Sequence, residues 1–407
     1  MTTIAQTMSA IGFAPVIALL HTDRKSDANG LKPHFSAEPG SPLGGASLLA
    51  ARRSGVELPQ PAGARVYPNL GVVYGTVDPA GLAALRADPA VRKVQPANPF
   101  SLIRPVAASD NGFPAEHTWG LDAMAVPDLW AQGLTGATVK IAHLDTGVDA
   151  AHPALADAVT EFAEFDLTGR IIAGATASDS DLRDGHGTHT AATIVGRAVD
   201  GHHVGVAPGA ELCAAMVIEG GDAIARILGG MDWAVGLGVR VLSMSLGVRG
   251  LVADFLDIVQ VLRDSGVLPV MAVGNEGPGT SRSPGNYPNA LSVGACDAAG
   301  AVADFSSSQR FKRRTQPLAP DLVAPGVEVI SAKRGGGWRT LSGSSMATPH
   351  VAGLAALLMQ ARPQASIAQV ERAIFTSARR GSMDRERANR GAVHAGLALT
   401  ALTALTG

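Results

Sequence analysis

The sequence predicts an α/β fold: a mainly parallel sheet with helices on both faces, preceded by a smaller α+β module. With 407 residues, the chain is long enough for one large domain and a second, smaller one. Its 46% hydrophobic content, 17% charged content and 48 glycines suit a compact core with many tight turns. From Trp119 onwards, short uninterrupted apolar runs alternate with helical patterns, which is typical of strands buried on both faces.

Residues 1–105 follow a different pattern and predict the smaller module. A loop is expected over the Pro- and Gly-rich stretch Ser26–Gly45, followed by a helical segment at Leu48–Arg53. The other predicted elements are strands at Pro15–His21, Leu70–Val77 and Val91–Gln95 and a helix at Ala80–Ala87. This order is close to β-α-β-β-α-β and predicts a ferredoxin-like, two-layer module.

A linker is expected over residues 106–117, because Val106–Pro114 is polar, rich in small residues and without periodicity. The large domain then extends over residues 118–400. Its predicted strands are Val139–Leu144, Glu211–Ile218, Arg240–Met244, Val267–Val273, Ala290–Val293 and Asp321–Ala324. Its predicted helices are Ala223–Val235, Val252–Ser265, Met346–Gln360 and Ser366–Ala378, the last with a capping box at its start.

The composition bears on partners and compartment. A formal net charge of −2 gives no reason to expect a nucleic acid or an anionic membrane as partner. No apolar stretch approaches the ~20 residues that span a bilayer. Residues Ile11–Leu20 are apolar, but no basic residue precedes them and no convincing small-residue cleavage site follows, so a strand at Pro15–His21 is favoured over a signal peptide. Cys213 and Cys296 are expected to be buried thiols, so the cytoplasm is favoured and secretion is the alternative.

Four short segments carry groups for acyl transfer. In chain order they contain Asp145 in an Asp-Thr-Gly, His186 in a Gly-His-Gly-Thr-His, Asn275 in a Gly-Asn-Glu-Gly, and Ser345 in a Gly-Ser-Ser-Met-Ala. A serine hydroxyl needs a base, and an imidazole titrates near neutral pH. A carboxylate behind the imidazole fixes its tautomer, and a side-chain amide can bind an oxyanion.

The predicted elements place these groups where chemistry is expected. Asp145 follows an apolar run and should stand at the carboxyl end of a buried strand. Ser345 should lie at the amino end of a helix, whose free N–H groups favour negative charge; Pro349 is placed in its first turn. Gly147 and Gly185 allow close approach of the backbone to these groups.

These segments, in this order, resemble the subtilisin family of serine peptidases over roughly Thr118–Ala395. The resemblance continues at Gly205-Val206-Ala207-Pro208, Asp304-Phe305-Ser306-Ser307 and Asp321–Gly326. It implies a sheet of about seven strands, a serine endopeptidase made as a self-inhibited zymogen, and an N-terminal domain that acts as inhibitory propeptide. It also implies that protein or peptide substrate pairs with Ser243, Ser245, Leu246 and Gly247 and lies near Gly220, Gly221 and Gly274.

Two departures from the family pattern change what is expected. The family's strong calcium site uses an acidic residue where this chain has Ala154, and the loop Val199–Val204 is short, so no metal or other cofactor is expected. Arg282 falls near the base of the specificity pocket, where an unpaired cation would favour an acidic P1 side chain. Its alternatives are solvent or pairing with Glu276. An acid-accepting pocket would make Asp110-Asn111 a candidate self-processing bond.

Other functions remain open at this point. An aspartic peptidase would need a second Asp-Thr-Gly, and the chain has one. His186 and His189 could be a metal pair, but no third ligand is apparent, and a structural role is favoured for His189. A specialised processing peptidase or a peptide-joining transferase would share the acyl-enzyme, and the sequence does not separate them from a general endopeptidase. A non-catalytic binding protein on a peptidase fold is the remaining alternative.

Overall fold

A computed structural model of the chain describes residues 3–35, 63–110 and 115–406. These residues form two compact units. The first contains the described residues up to Pro99 together with Phe165–Ile171 and Gly220–Trp233. The second contains Phe100–Glu164, Ile172–Glu219 and the chain from Ala234 onwards.

The first unit contains a four-stranded antiparallel sheet. Its strands are β1 (Ala14–Leu20), β2 (Arg65–Tyr67), β3 (Val72–Val77) and β4 (Val91–Pro96), in the order β2-β3-β1-β4. The central strand β1 is almost entirely apolar and buried, and it pairs with both β3 and β4. The three strands predicted from the sequence are therefore confirmed.

Helices of the first unit differ in part from the prediction. They are α1 (Ile4–Ile11), which was not predicted, and α2 (Pro79–Ala87), which was. Thr22–His34 is a 3-10 helix, so the loop predicted over Ser26–Gly45 is wrong up to His34. Residues 36–45 of that loop and the helical segment predicted at Leu48–Arg53 lie outside the described residues. A ferredoxin-like module therefore stays a prediction.

Two short strands begin the second unit, and the second of them lies within the predicted linker, residues 106–117. β5 (Ser101–Leu102) pairs antiparallel with Leu246–Gly247, and β6 (Ala107–Ser109) pairs antiparallel with Thr340–Ser342. The structure therefore corrects the linker prediction for Ala107–Ser109. Small, exposed side chains hid this strand, because it lacks an apolar face that would give a periodic signal.

The second unit is built around a seven-stranded sheet in which every pairing is parallel. Six of its strands match the predicted apolar runs. The seventh, Val159–Glu164, was missed because it lies at an edge and has only one buried residue, Ala163, so it lacks a continuous apolar run. The strands are β7 (Lys140–Asp145), β8 (Val159–Glu164), β9 (Glu211–Met216), β10 (Val241–Met244), β12 (Leu268–Ala272), β14 (Leu291–Cys296) and β17 (Leu322–Pro325), in the order β17-β14-β12-β10-β7-β9-β8.

Shorter strands and the helices complete this part of the chain. The strands are β11 (Leu246–Arg249), β13 (Arg282–Ser283), β15 (Gln309–Arg310), β16 (Leu318–Ala319), β18 (Val329–Ala332) and β19 (Trp338–Ser342). The helices are α3 (Trp119–Ala123), α4 (Pro127–Trp130), α5 (His186–Val195), α6 (Ala223–Gly236), α7 (Leu256–Asp264), α8 (Ser344–Ala361), α9 (Ile367–Ser377), α10 (Arg385–Ala388) and α11 (Ala395–Thr406), with 3-10 turns at Pro153–Leu155 and Ala253–Phe255. Ser366 and Gln369 form the predicted capping box.

The helix α8 is buried along almost its whole length and packs against the sheet. Pro349 is its sixth residue, so the prediction that it lies in the first turn is wrong. Its missing N–H leaves the carbonyl of Ser345 without the usual intrahelical donor. The Ser245 hydroxyl lies 3.4 Å from that carbonyl oxygen and donates to it.

Two further expectations concern single side chains and membrane spans. Cys213 and Cys296 are buried free thiols, and burial raises their pKa values to about 11 and about 12, as expected for unreactive core residues. Within the part of the chain that the structure describes, no helix combines the length and the apolar character that crossing a bilayer requires.

Candidate active site

Asp145 and His186 form a buried ion pair at the carboxyl end of the parallel sheet. Asp145 is the last residue of β7, and His186 is the first residue of α5. The Asp145 Oδ1 and His186 Nδ1 atoms are 2.7 Å apart. Burial opposes the charge on His186, yet the Asp145 carboxylate and its hydrogen bond raise the pKa of this imidazole. Burial acts to raise the pKa of Asp145, but the charge of His186 and its hydrogen bond lower that pKa.

A hydrogen-bonded network holds the ends of β7 and α5 together. The Thr146 hydroxyl donates to one oxygen of Asp179 at 2.8 Å, and the N–H and hydroxyl of Thr188 donate to the other at 2.9 and 2.6 Å. Gly147 has φ 99°, and a Cβ there would lie 2.0 Å from the Ser178 carbonyl oxygen. No sequence pattern indicates Asp179, because a single carboxylate in a polar loop does not differ from an ordinary surface residue before folding.

Ser345 is the second residue of α8 and has no exposed surface. Its hydroxyl donates to the carbonyl oxygen of Ile103 at 2.7 Å. Among the described residues, the His186 Nε2 atom has no hydrogen-bond partner. The structure therefore joins Asp145 to His186 directly, but Ser345 is engaged with a peptide carbonyl rather than with the imidazole.

Asn275 is oriented as an amide donor next to Ser345. Its Oδ1 atom accepts the Ser344 N–H at 2.8 Å, so its Nδ2 atom points the other way and donates to the Arg104 carbonyl at 3.0 Å. Gly274 has φ 117°, and a Cβ there would lie 2.7 Å from a Glu276 carboxylate oxygen. Gly274 thus gives the turn that presents Asn275.

The residues expected to bind substrate contact a segment of the chain itself, residues 101–106, which we call the groove segment. Leu246 and Gly247 pair with it through β5, and the Ser245 carbonyl accepts the Ile103 N–H at 3.1 Å. Beyond Ile103, the Val106 N–H donates to the Ser342 carbonyl at 2.8 Å. Sequence reasoning missed this segment, since a two-residue strand leaves no periodic pattern.

Three other predicted substrate residues lie elsewhere. Ser243 is buried within β10, where it pairs with His143 and Val270 in the sheet. Gly220 and Gly221 belong to the first unit, so their proximity to substrate stays a prediction.

Arg282 is not the unpaired cation that an acidic P1 preference requires. Its guanidinium is buried and paired with the Glu276 carboxylate, with Nε and Oε1 2.8 Å apart. The same guanidinium donates to the Ser101 hydroxyl at 2.9 Å. Both charged residues line a cavity of about 330 Å³ beside Ile103. The structure thus shows the alternative, in which Arg282 pairs with Glu276. The acidic-P1 hypothesis assumed an unpaired Arg282, and that assumption is wrong.

Asp110, the first residue of the candidate self-processing bond, is held by two basic side chains. The Asp110 carboxylate is paired with Lys333 at 2.8 Å and Arg339 at 3.1 Å, and Asn111 lies outside the described residues. The carbonyl beside Ser345 belongs to Ile103 instead.

The remaining histidines near the site are buried and structural. His189 Nε2 lies 3.0 Å from the Val329 carbonyl oxygen, and burial lowers its pKa to about 3. His143 bonds to the Thr190 hydroxyl at 2.9 Å, and burial lowers its pKa to about 4. In the described part of the chain, no group of three or more His, Cys, Asp or Glu side chains is arranged to hold a metal ion.

A parallel α/β sheet with a buried carboxylate–imidazole pair at its carboxyl edge, and a serine at the start of a buried helix, is typical of serine hydrolases. The subtilase family model matches residues 136–394, and the chain belongs to this family of serine peptidases. It is therefore a peptide hydrolase, and protein or peptide is its substrate class.

Three similar proteins have names that describe serine or alkaline proteases or subtilisins. An alkaline protease from Shouchella clausii is 34% identical over 309 residues, which cover 75% of this chain and 73% of the relative. Subtilisin Savinase from Lederbergia lenta is 38% identical over 256 residues, or 62% of this chain and 87% of the relative. The major intracellular serine protease of Bacillus subtilis (strain 168) is 34% identical over 255 residues, or 59% and 74%.

Proposed function

We propose that this chain is a serine endopeptidase that works through an acyl-enzyme and that its own groove segment inhibits it. The observation that carries the proposal is the contact at the nucleophile. The Ser345 hydroxyl lies 2.7 Å from a peptide carbonyl oxygen, in a stretch of chain paired as a strand with Leu246–Gly247. An extended peptide lying against a serine hydroxyl is the arrangement that peptide-bond cleavage needs.

The proposed reaction uses the Asp145–His186 pair as base. When the groove segment leaves, the Ser345 hydroxyl is free to turn towards the unpartnered Nε2 atom of His186. His186 takes the proton as the serine oxygen bonds to the substrate carbonyl carbon, and returns it to the departing amine as the C–N bond breaks. Water then attacks the acyl-enzyme in the same way, with His186 again as base, and the product carboxylic acid is released from Ser345. Asp145 stabilises the imidazolium, consistent with the raised pKa of His186.

The developing oxyanion would be bound by the Asn275 amide and by the Ser345 N–H at the start of α8. Asn275 already donates to a peptide carbonyl at 3.0 Å, and its orientation is fixed through Ser344. A donor held in place before the reaction needs no reorganisation as charge develops.

The groove segment is bound in a way that opposes its own cleavage. Ser345 contacts the Ile103 carbonyl, whereas Asn275 contacts the next carbonyl, that of Arg104. Neither carbonyl therefore meets both the attacking hydroxyl and the oxyanion donor. Pro105 follows directly and removes the N–H through which the chain could pair at that position. The segment fills the groove without presenting a bond correctly for attack.

An inhibitory role for the N-terminal region is supported by contacts within the first unit. The Tyr74 hydroxyl donates to the Asp222 carboxylate at 2.8 Å, and the Tyr67 hydroxyl donates to the Ala225 carbonyl at 2.9 Å. Asp222 directly precedes α6 and Ala225 is its third residue, and both lie inside the segment that matches the family. The N-terminal strands thus bind residues of the peptidase domain, as an intramolecular inhibitor must.

Product masses from a defined, unfolded protein substrate test the proposal. We expect internal cleavages by the full-length chain, with each product pair summing to the substrate plus one water. Ser345→Ala should give none. Products joined to an added amine would instead indicate a peptide-joining transferase, and equal cleavage by Ser345→Ala would overturn the assignment of the nucleophile.

A further inference from the structure

We propose that Asp181, Asp184 and Glu219 form a subsite that binds a cationic side chain of the peptide substrate. The proposal deepens the function proposed above, because it names the substrate class of the same groove. The enzyme would favour Lys or Arg within two residues of the bond that it cleaves. We call these three carboxylates the acidic subsite.

A guanidinium already occupies the acidic subsite. Arg104 of the groove segment places one terminal nitrogen 3.4 Å from Asp181 and 3.4 Å from Asp184. Its other terminal nitrogen lies 3.0 Å from Glu219. One side chain thus reaches all three carboxylates. Partial burial opposes the charge on Arg104, yet Glu219, Asp181 and Asp184 together raise the pKa of this residue.

The carboxylates need a cation. The side chains of Asp181 and Asp184 are only 3% and 8% exposed, and burying two nearby charges of the same sign is costly without a partner. Arg183, at 3.7 Å from Asp184, is 76% exposed and neutralises little. Asp181 is also fixed, because it accepts the backbone N–H of Arg183 and of His186 at 3.2 and 3.3 Å. A cation arriving in the groove would find its acceptors preformed.

The occupant's position links the acidic subsite to substrate rather than to folding alone. The Arg104 carbonyl is held by Asn275, and the preceding carbonyl lies on Ser345. A substrate that replaces the groove segment must pass through the same positions, so a side chain within two residues of its cleaved bond faces the acidic subsite. Ile103 and Arg104 both line the cavity that also holds Arg282, Glu276 and Arg249. Among the described residues, the one carboxylate lining that cavity, Glu276, already pairs with Arg282 at 2.8 Å and with Arg249 at 3.4 Å. The negative charge available to attract a cationic side chain therefore lies in the acidic subsite.

Matched peptides test the proposal in the full-length chain. Arg104→Gln vacates the acidic subsite while keeping a side chain of similar length. Fluorogenic peptides carrying Arg at each of the two positions before and after the cleaved bond would be compared with peptides carrying citrulline, which is uncharged and nearly isosteric. At one position we expect kcat/KM to be about tenfold higher for Arg. Adding Glu219→Gln should reduce that ratio to about twofold. The control Glu161→Gln removes an exposed carboxylate from β8 and should leave the ratio unchanged.

Binding to an inactive form separates this proposal from the proposed function. The labelled Arg and citrulline peptides would be titrated into Arg104→Gln combined with Ser345→Ala, where affinity does not depend on catalysis. Tighter binding of the Arg peptide that requires Glu219 supports the acidic subsite even if the reaction assigned above is wrong. Equal affinities, binding of neither peptide, or a preference for Arg that survives Glu219→Gln would overturn it.

Discussion

Asp145 and His186 are each fixed by a whole element of the core, whereas the groove segment is fixed by individual hydrogen bonds and by the charged contacts of one side chain, Arg104. β7, which ends at Asp145, lies inside the seven-stranded sheet with paired strands on both sides. β5 contributes two paired residues, and Arg104 is the segment's main charged anchor. The Arg104 side chain is also 35% exposed, unlike the fully buried His186 side chain.

The catalytic pair is therefore held more firmly than the groove segment, which can dissociate from the active site. Moving the backbone that carries the catalytic pair would disrupt the core of the second unit. Releasing the groove segment requires only the loss of its short antiparallel pairing, of the Arg104 side-chain contacts and of the hydrogen bonds of Ile103, Arg104 and Val106, each worth on the order of 1 kcal/mol. The five predictions below test this contrast, from the largest expected effect to the smallest.

Removing the nucleophile or the base should abolish activity. Ser345→Ala and His186→Ala should each lower kcat roughly 10⁶-fold, a magnitude that comes from subtilisin itself and is borrowed here. The double variant should lose no more than either single one, because the groups act as a unit. Peptide hydrolysis measures this, with circular dichroism to verify folding. Losses that multiply in the double variant would show that the two residues act independently.

Removing the oxyanion donor should have a smaller effect. Asn275→Ala should lower kcat roughly 10²–10³-fold with little change in KM, again by analogy with subtilisin. Initial rates over a range of peptide concentrations separate kcat from KM. Because Asn275 also holds the Arg104 carbonyl, the rates should be compared in the Arg104→Gln background. A raised KM with unchanged kcat would assign Asn275 to substrate binding instead.

Weakening the groove segment should increase activity. Arg104→Gln removes a charge held by three carboxylates, and we expect the rate of peptide hydrolysis to rise about tenfold as the segment is released more often. Arg86→Gln, which removes an exposed charge from α2, is the matched control. Equal rates for both variants and the unmodified chain would mean that the segment does not limit access.

The buried histidines predict a loss of stability in acid. Burial lowers the pKa values of His143 and His350 to about 4 and that of His189 to about 3, against an unfolded value near 6.5. The unfolded chain therefore binds protons first. The stability that these neutral histidines contribute is fully present above pH 6.5 and falls as the pH drops towards 4, by up to about 3 kcal/mol for each group.

Urea unfolding between pH 7 and pH 4 measures this slope. His350→Asn keeps a donor for the Met346 carbonyl but removes one titrating group, so the free energy of unfolding should change less steeply with pH. An unchanged slope would exclude His350 as a contributor.

Chelation should have the smallest effect. The family resemblance predicts a calcium ligand at the position of Ala154, whose methyl group is buried and offers no oxygen. The Val199 and His202 carbonyls of the short loop accept each other's N–H at 3.0 and 2.9 Å. We therefore expect the same Tm with excess calcium and with EDTA. A fall of many degrees in EDTA would show that stability depends on a metal.

The parallel sheet could be predicted because strands buried on both faces are continuous apolar runs. The acid–base pair followed, since Asp145 stands where such a run ends. The edge strand β8 could not be predicted in the same way, because Glu161 and Glu164 interrupt its apolar pattern. The residues read correctly are those whose local sequence already reflects their burial.

Contacts between distant residues could not be predicted. Ile103 and Ser345 are 242 positions apart, and nothing near Ile103 indicates that its carbonyl meets a serine. The spacing places Arg282 in the pocket, but whether its charge is paired depends on whether Glu276 reaches it, which only the fold determines. The acidic subsite is hidden for the same reason, since Glu219 comes from a different element than Asp181 and Asp184.

Labelling with a fluorophosphonate tests the central claim, that Ser345 is an activated nucleophile held back by the groove segment. We expect a single label on Ser345 of the full-length chain, formed about tenfold faster in Arg104→Gln and undetectable in His186→Ala. Label on another residue, or equal rates in all three proteins, would contradict the account.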